Sequence, residues 1–331
     1  MAKPRLNVVL VGAGGNMRGA HVPRILDDKR TKIVGVADPE EDHAKALEDR
    51  AGYEIPYFAN WQAMLKNIES HGVIISTPHK HHNLQVKRSL EDGRHVLVEK
   101  PLVIQSKHAN SLIQLASRVE CLLMVAYQRH WMPEFVYARE LIARGEIGEI
   151  CGVSGYVTQN WQAFGGWRVD LELSGGGMFM DTGSHLVASL LWVTGLRPKR
   201  VWATQDRQGH KVDVNMVCHV SFDGGAVGTL TTIGNAARHD ERLMIAGTEG
   251  SLVLHLHQWQ VKSLRLNDEI VDVPRRIRAS NPDAAFFAAI RKGLDSVEPP
   301  DYAFQVAQLT EAAYKSANEN KPVSIRQPTK K

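Results

Sequence analysis

The chain has 331 residues, with 40 Lys and Arg against 36 Asp and Glu, a formal net charge of +4. Hydrophobic residues make up 43% and charged residues 23%, the balance of an ordinary globular protein rather than a disordered or fibrous one. This length exceeds the usual size of one core, so two domains are expected, and so small a charge excess argues against a nucleic-acid partner.

Three cysteines, Cys121, Cys151 and Cys218, are too few and too scattered for a disulfide framework or a zinc cage, and are expected as buried, reduced thiols. No apolar run approaches the ~20 residues of a membrane span. The N-terminus, MAKPRLNVVLVGAGG, has a charged start and an apolar stretch. Asn7 interrupts that stretch, a glycine loop follows it, and no small-residue cleavage site closes it. A secretory signal is therefore not expected, and the cytoplasm is the expected location.

The first third alternates strand and helix signals. Apolar, β-branched runs at 6–11, 32–37, 72–77, 95–98 and 121–127 are separated by helix-compatible segments such as 40–50, 83–91 and 106–118. Apolar strands separated by helices indicate a parallel sheet covered on both faces. Right-handed crossovers then make residues 1–128 an α/β, doubly wound, Rossmann-type domain.

After residue 129 the rhythm changes. A helix is expected over 133–144, then strands at 150–157, 200–205, 212–222, 226–233, 242–246 and 251–255, with Asp223-Gly224-Gly225 as a hairpin turn. These make 129–331 an α+β domain with a large, mainly antiparallel sheet. A final helix over 303–318 is a candidate to pack back on the first domain.

Gly12, Gly14 and Gly15 follow the first strand and precede a helix that opens with Asn16 and Met17. Glycine lets the backbone approach a pyrophosphate, and a helix N-terminus supplies N–H donors and positive dipole. Met17 stands where G-x-G-x-x-G has its third glycine, so any tight strand-to-helix turn remains an alternative. Asp38 ends the second strand, where an acidic side chain accepts hydrogen bonds from a ribose diol and repels a 2′-phosphate. NAD is thus favoured over NADP. The same residue is also placed to cap the following helix.

The segment 76–102 reads STPHKHHNLQVKRSLEDGRHVLVEKPL. It carries Thr77-Pro78, then His82, Gly93 and Glu99-Lys100-Pro101 at a strand end, and Tyr127-Gln128-Arg129 follows. With this ordered set the chain resembles the Gfo/Idh/MocA family of NAD(P)-dependent sugar and cyclitol oxidoreductases, with Gln128 in place of the Asn of an aromatic-Asn-Arg signature. The resemblance implies a cofactor site of Gly12, Gly14, Gly15, Asn16, Met17, Asp38, Thr77, Pro78, His79, His82, Glu99, Lys100 and Gln128, with His82 near the nicotinamide side. Glu99-Lys100-Pro101 sits where open α/β sheets bind ligands. An ammonium held there would stabilise the alkoxide that develops as a hydroxyl is oxidised.

The other informative segment runs Ser174-Gly175-Gly176-Gly177-Met178-Phe179-Met180-Asp181-Thr182-Gly183-Ser184-His185. Three glycines allow the backbone to pass close to something. Asp181 and His185 are four apart, so on a helix they share one face. A histidine oriented by a carboxylate accepts a proton from an alcohol as hydride leaves its carbon. Read alone, the pair is equally a structural one. The resemblance implies that Asp181 and His185 accompany Lys100 in catalysis, while Ser189 occupies a position often acidic in the family. Trp161 and Trp167 offer faces for a sugar ring and Arg168 donors for its hydroxyls, the alternative for each tryptophan being a packed loop. Arg129, with His130 and Trp131, is expected at the domain cleft. The expected substrate set is Lys100, Arg129, Trp161, Trp167, Arg168, Asp181 and His185.

His79, His81, His82 and His255-x-His257 lack an accompanying Cys or carboxylate cluster, so no metal is expected. Arg275-Arg276-Ile277-Arg278 reads as a solvated run. The expected protein is an NAD-dependent oxidoreductase that moves hydride between nicotinamide and a hydroxyl-bearing carbon of a sugar, cyclitol or glycoside. Its partners would be small molecules, with neither nucleic acid nor membrane. An open sheet face in the second domain is expected to be covered in a homodimer or homotetramer. Two alternatives stay open: an NAD-dependent glycoside hydrolase working through transient oxidation, and a non-catalytic regulator that binds dinucleotide or sugar.

Overall fold

The structure, a computed structural model, describes residues 5–293 and 301–326. It divides into two compact units. The first comprises Met1–Val103, Lys107–Ala126 and Ser280–Pro300; the second comprises Ile104–Ser106, Tyr127–Ala279 and Asp301–Lys331.

In the first unit, β1 (Leu6–Val11), β2 (Thr31–Ala37), β3 (Tyr57–Phe58), β4 (Gly72–Ile75), β5 (His95–Val98) and β6 (Leu123–Val125) form one sheet in the order β3-β2-β1-β4-β5-β6. Every neighbouring pair is parallel. This is the doubly wound order, in which the strand sequence reverses between β1 and β4 and ligands bind beyond the carboxyl ends there. Val9, Leu10, Ile74, Ile75, Val96 and Leu97 are fully buried, which explains their unbroken apolar runs.

The crossovers are α1 (Val22–Asp27), α2 (Glu41–Ala51), α3 (Trp61–Asn67), α4 (His79–Glu91) and α5 (Ser106–Arg118). Asn60 caps α3 by accepting from the Gln62 and Ala63 N–H groups at 2.8 and 3.2 Å. α5 buries Ala109, Leu112, Leu115 and Ala116, one stripe at helical spacing. β3 and α3 lie in a stretch where the sequence pattern indicates no element.

In the second unit come α6 (Pro133–Ala143), α7 (Leu171–Ser174) and α8 (Gly183–Thr194). The sheet contains β7 (Ile150–Asn160), β8 (Pro198–Asp206), β9 (Asn215–Phe222), β10 (Val227–Ile233), β11 (Asn235–Gly247), β12 (Ser251–His257), β13 (Gln260–Leu266), β14 (Glu269–Ile270) and β15 (Val323–Ser324). Their order is β14-β13-β12-β11-β7-β10-β9-β8-β15, antiparallel except for the β7–β10 pair. Asp223-Gly224-Gly225 does join β9 to β10 as a hairpin.

One face of this sheet carries Val201, Ala203, Cys218, Val220, Leu243 and Leu254, all buried. α6, α8 and α10 (Asp301–Glu319) pack against the sheet and one another. Across the opposite face, Trp202, His219, Thr229, Ser154, Met244 and Val253 fall in register as one row. Trp202 is 46% and Met244 44% exposed.

α9 (Pro282–Lys292) belongs to the first unit, although it follows β7 to β14 of the second sheet in sequence. Phe286 packs where a side chain on Gly72 would sit, 3.1 Å from its Cβ position, and Arg291 donates to Asp28 at 2.6 Å.

The thiols require a correction. Cys121 and Cys218 are buried, but Cys151 is exposed, because the buried stretch of β7 begins only at Val153. No helix among the described residues is long and apolar enough to cross a membrane.

Candidate active site

The chain leaves β1 through Gly12, whose φ is +88° and whose Cβ would stand 2.4 Å from the Ser76 carbonyl oxygen. Only glycine fits there. A Cβ on Gly14 or Gly15 meets nothing within 4 Å, so this stretch of backbone has open space beside it. The following helix opens with a π-turn, Met17–His21, a distortion frequent at functional sites. Met17 is fully buried, so its backbone rather than its side chain is available to a ligand. Asn16 is exposed, and its Nδ2 donates to Ser76 Oγ at 3.3 Å.

Asp38 stands at the end of β2 and is 8% exposed. Its Oδ2 accepts from the Ala13 N–H at 2.6 Å and its Oδ1 from the Glu40 N–H at 3.0 Å. It therefore ties the glycine loop to the start of α2; His43 Nδ1 also lies 3.1 Å from Oδ1, while Oδ2 keeps a second lone pair. These features suit the phosphate and ribose ends of a dinucleotide: open backbone at Gly14 and Gly15, a helix start, and a carboxylate beside them.

Thr77 Oγ1 donates to Gln85 Oε1 at 2.6 Å, and Pro78 precedes the first turn of α4. His79 and His82 in that turn are both buried. The sequence expectation puts His82 near the nicotinamide side. The structure places its Nδ1 2.8 Å from the Pro101 carbonyl and its Nε2 2.9 Å from the Thr77 carbonyl. Burial pushes its pKa down, and a neutral imidazole has a single N–H to donate. A neutral His82 ring therefore donates to one of these carbonyls only and packs between the 77–78 and 100–101 turns.

Lys100 follows β5 and is half-buried; the Lys100–Pro101 bond is cis. Its N–H donates to Glu99 Oε2 at 3.2 Å. Glu99 Oε1 lies 3.1 Å from His21 Nε2, and His21 Nδ1 lies 2.7 Å from Asp283 Oδ1 on α9. Arg24 adds a 3.3 Å contact to Asp283. Both acceptors of the His21 ring are carboxylates, so both ring nitrogens must carry protons. Burial alone would lower the His21 pKa, but Asp283 and Glu99 together raise it to about 10. Burial would raise the Glu99 carboxyl; His21, Lys100 and Asn16 instead bring it down to about 2. Sequence reading misses His21 and Asp283, which stand 262 positions apart.

In the second unit, the triple glycine passes close to the protein itself. A Cβ on Gly175 would lie 2.5 Å from Ile104, on Gly176 2.3 Å from the Tyr314 hydroxyl, and on Gly177 1.8 Å from the Asp213 carbonyl. The buried Asp213 carboxylate accepts from the Gly177 and Phe179 N–H groups at 2.7 and 2.8 Å and from the Tyr314 hydroxyl at 2.6 Å. Burial raises the Asp213 pKa against these donors.

The loop leads to Asp181 and His185. The expectation of one helical face for the two fails: α8 begins at Gly183, so Asp181 precedes it. Asp181 Oδ2 accepts from Trp161 Nε1–H at 2.9 Å and Arg168 Nε–H at 3.0 Å. Trp161 is fully buried, so its indole is a packed support and not an exposed sugar face. Trp167 is half-buried, with the Arg168 guanidinium 4.6 Å above its ring. His185 is the sole residue from Gly183 to Val193 that is not buried. Ser189 is buried and bonds back to the His185 carbonyl.

Arg129 does not offer its guanidinium outward: it is 4% exposed and pairs bidentately with buried Glu241. His130 stacks on Trp192 with ring centroids 4.6 Å apart. Gln128, beside them, is exposed. No group of three or more His, Cys, Asp or Glu among the described residues is arranged to hold a metal.

Comparison with known proteins identifies the family of the chain. Residues 6–127 match a family described as "Oxidoreductase family, NAD-binding Rossmann fold", and residues 135–253 match the "GFO/IDH/MocA C-terminal domain". Levoglucosan dehydrogenase of Pseudarthrobacter phenanthrenivorans is 26% identical over 290 residues, 76% of this chain and 73% of the relative. Inositol 2-dehydrogenase of Rhizobium meliloti is 25% identical over 333 residues, covering 96% of this chain and 98% of that one. The WlbA dehydrogenase of Bordetella pertussis, solved with NADH and UDP-GlcNAcA, superposes with a TM-score of 0.85 at 20% identity, over 99% of this chain and 100% of that one, a likeness of fold. The chain belongs to the Gfo/Idh/MocA family and is an oxidoreductase with an NAD-binding Rossmann domain.

Proposed function

We propose that this enzyme uses NAD to oxidise a hydroxyl-bearing carbon of a sugar, cyclitol or glycoside. The observation that carries the reading is Lys100, set at the carboxyl end of β5 beside a Glu99 that is locked to a charged His21. Bound NAD would supply the hydride acceptor. Gly14, Gly15 and Asn16 would receive its pyrophosphate at the helix start, and Asp38 its ribose diol; a carboxylate in that place disfavours the 2′-phosphate of NADP. Thr77, Pro78, His79 and Gln128 would line the remainder, with His82 packed between the 77–78 and 100–101 turns.

Lys100 holds the substrate oxygen and stabilises the negative charge that grows on it as hydride leaves. His185 takes the hydroxyl proton. Asp181 accompanies His185 and fixes Arg168, whose remaining N–H groups, stacked over Trp167, donate to neighbouring hydroxyls. The names of the relatives support a sugar or cyclitol as substrate. A second copy of the chain covers the row of Trp202, His219 and Met244 on the open sheet face, giving a homo-oligomer.

The test is NADH formation by the full-length protein on a panel of sugars, cyclitols and glycosides, with released aglycone measured in parallel. The reading expects NADH to accumulate with at least one of them. Aglycone release without NADH would replace it with a hydrolase, and tight NAD binding without turnover with a regulator. Light scattering at the mass of one chain would contradict the oligomer.

A further inference from the structure

The β12–β13 hairpin pairs His257 with Gln260 across a two-residue turn, Gln258-Trp259. Both turn residues have positive φ, +50° and +68°. That is the mirror-image hairpin turn that Asn-Gly fills without strain, and a tryptophan occupies such a backbone region rarely. A residue kept against its backbone preference directs attention to what its side chain does.

The indole is 46% exposed, yet three groups surround it. The His239 ring lies 4.5 Å away at 31°, the His185 ring 5.9 Å away at 66°, and the Arg129 guanidinium carbon 5.9 Å from the indole centroid. Arg129 is itself fixed by Glu241. His239 is held neutral, its pKa brought down to about 4 by burial and by Arg129 and His257. Its two ring nitrogens are buried without a hydrogen-bond partner, so the ring serves as a flat backing for the indole. The result is a rigid aromatic plate, supported from behind, at the one α8 side chain between Gly183 and Val193 that reaches the surface.

We propose that Trp259 is a specificity-determining residue, an aromatic platform beside His185 that receives the apolar C–H face of a pyranose or cyclitol ring. This rests on the role proposed above for His185. Trp259 contributes to ring-substrate affinity and not to the chemical step, so its loss appears in KM.

The test uses the full-length enzyme and its Trp259→Gly, Trp259→Asn and Trp259→Phe variants, with levoglucosan, myo-inositol and methyl β-D-glucopyranoside as probes. Glycine relieves the positive φ, so Trp259→Gly is expected to keep Tm within about 3 °C of wild type. Its KM for the accepted ring substrate rises about tenfold or more, with kcat reduced by less and NAD affinity within about twofold. Trp259→Phe restores KM to within about threefold. If Trp259→Gly fails to fold, the Asn and Phe variants carry the same comparison. A KM within about twofold of wild type in the Gly or Asn variant, or a loss confined to kcat, overturns the proposal. A wild type that oxidises none of the three probes overturns the dehydrogenase reading first, and the role of Trp259 with it.

Discussion

Two glycine runs look alike in the sequence and do opposite things in the fold. At Gly14 and Gly15 a side chain would meet nothing within 4 Å. At Gly175, Gly176 and Gly177 it would collide with Ile104, Tyr314 and Asp213. The first run leaves space outside the protein's own atoms, as a ligand cradle requires. The second is filled from within and shapes the approach to Asp181 and His185. A glycine motif states that something comes close; the surrounding structure decides whether that something is a ligand.

The largest expected effect comes from filling the closed run. Gly177→Ala would place a methyl 1.8 Å from a backbone carbonyl that cannot rotate away. It should cost more than about 5 kcal/mol or prevent folding, read by thermal unfolding. Unchanged stability would break the contrast between the runs.

Next is the network that follows the open run. His21→Gln removes a buried cation between two carboxylates and should cost about 3–5 kcal/mol near neutral pH. Its pH dependence has a definite sign. The folded His21 pKa of about 10 lies above the ordinary 6.5, so this stabilisation is complete below about pH 6.5 and is lost as pH rises through 10. Glu99 works in the other direction: lowered to about 2, it contributes above its ordinary 4.5 and ceases to as pH falls towards 2. The urea midpoints of wild type and His21→Gln should therefore converge between pH 6.5 and 10. A gap that stayed constant would mean that His21 is neutral in the fold.

Tyr314→Phe is milder. It takes one donor from Asp213 and leaves the Gly177 and Met180 N–H groups without their hydroxyl acceptor, for a loss of about 1–3 kcal/mol by urea unfolding. The smallest stability change is expected for Gly14→Ala, under about 1 kcal/mol. Its NAD affinity should still fall about tenfold, since the methyl occupies the open cradle. NAD titration by fluorescence checks this, and unchanged affinity would remove Gly14 from the cofactor site.

The Rossmann strands were legible because burial on both faces forces continuous apolar runs, as in Val8–Val11 and Val73–Ile75. Asp223-Gly224-Gly225 was legible because its residues match the turn they make. The His21–Glu99–Asp283 network was not, since it joins groups from opposite ends of the chain and no spacing rule spans them. The hairpin at Gln258-Trp259 was hidden because its residues contradict the turn they form. Trp161 and Arg129 illustrate a third limit. Residue type, chain position and the family resemblance suggested ligand contacts for both, whereas packing turns the indole towards Asp181 and the guanidinium towards Glu241.

The most direct measurement of the central claim is steady-state NADH formation by Lys100→Met beside wild type, on whichever sugar or cyclitol the panel identifies, with NAD affinity measured on both proteins. If the Lys100 ammonium stabilises the reacting oxygen, kcat falls about a hundred- to a thousandfold while NAD affinity stays within about threefold. A variant that keeps most of its kcat, or that loses activity only through loss of NAD binding, would contradict the account.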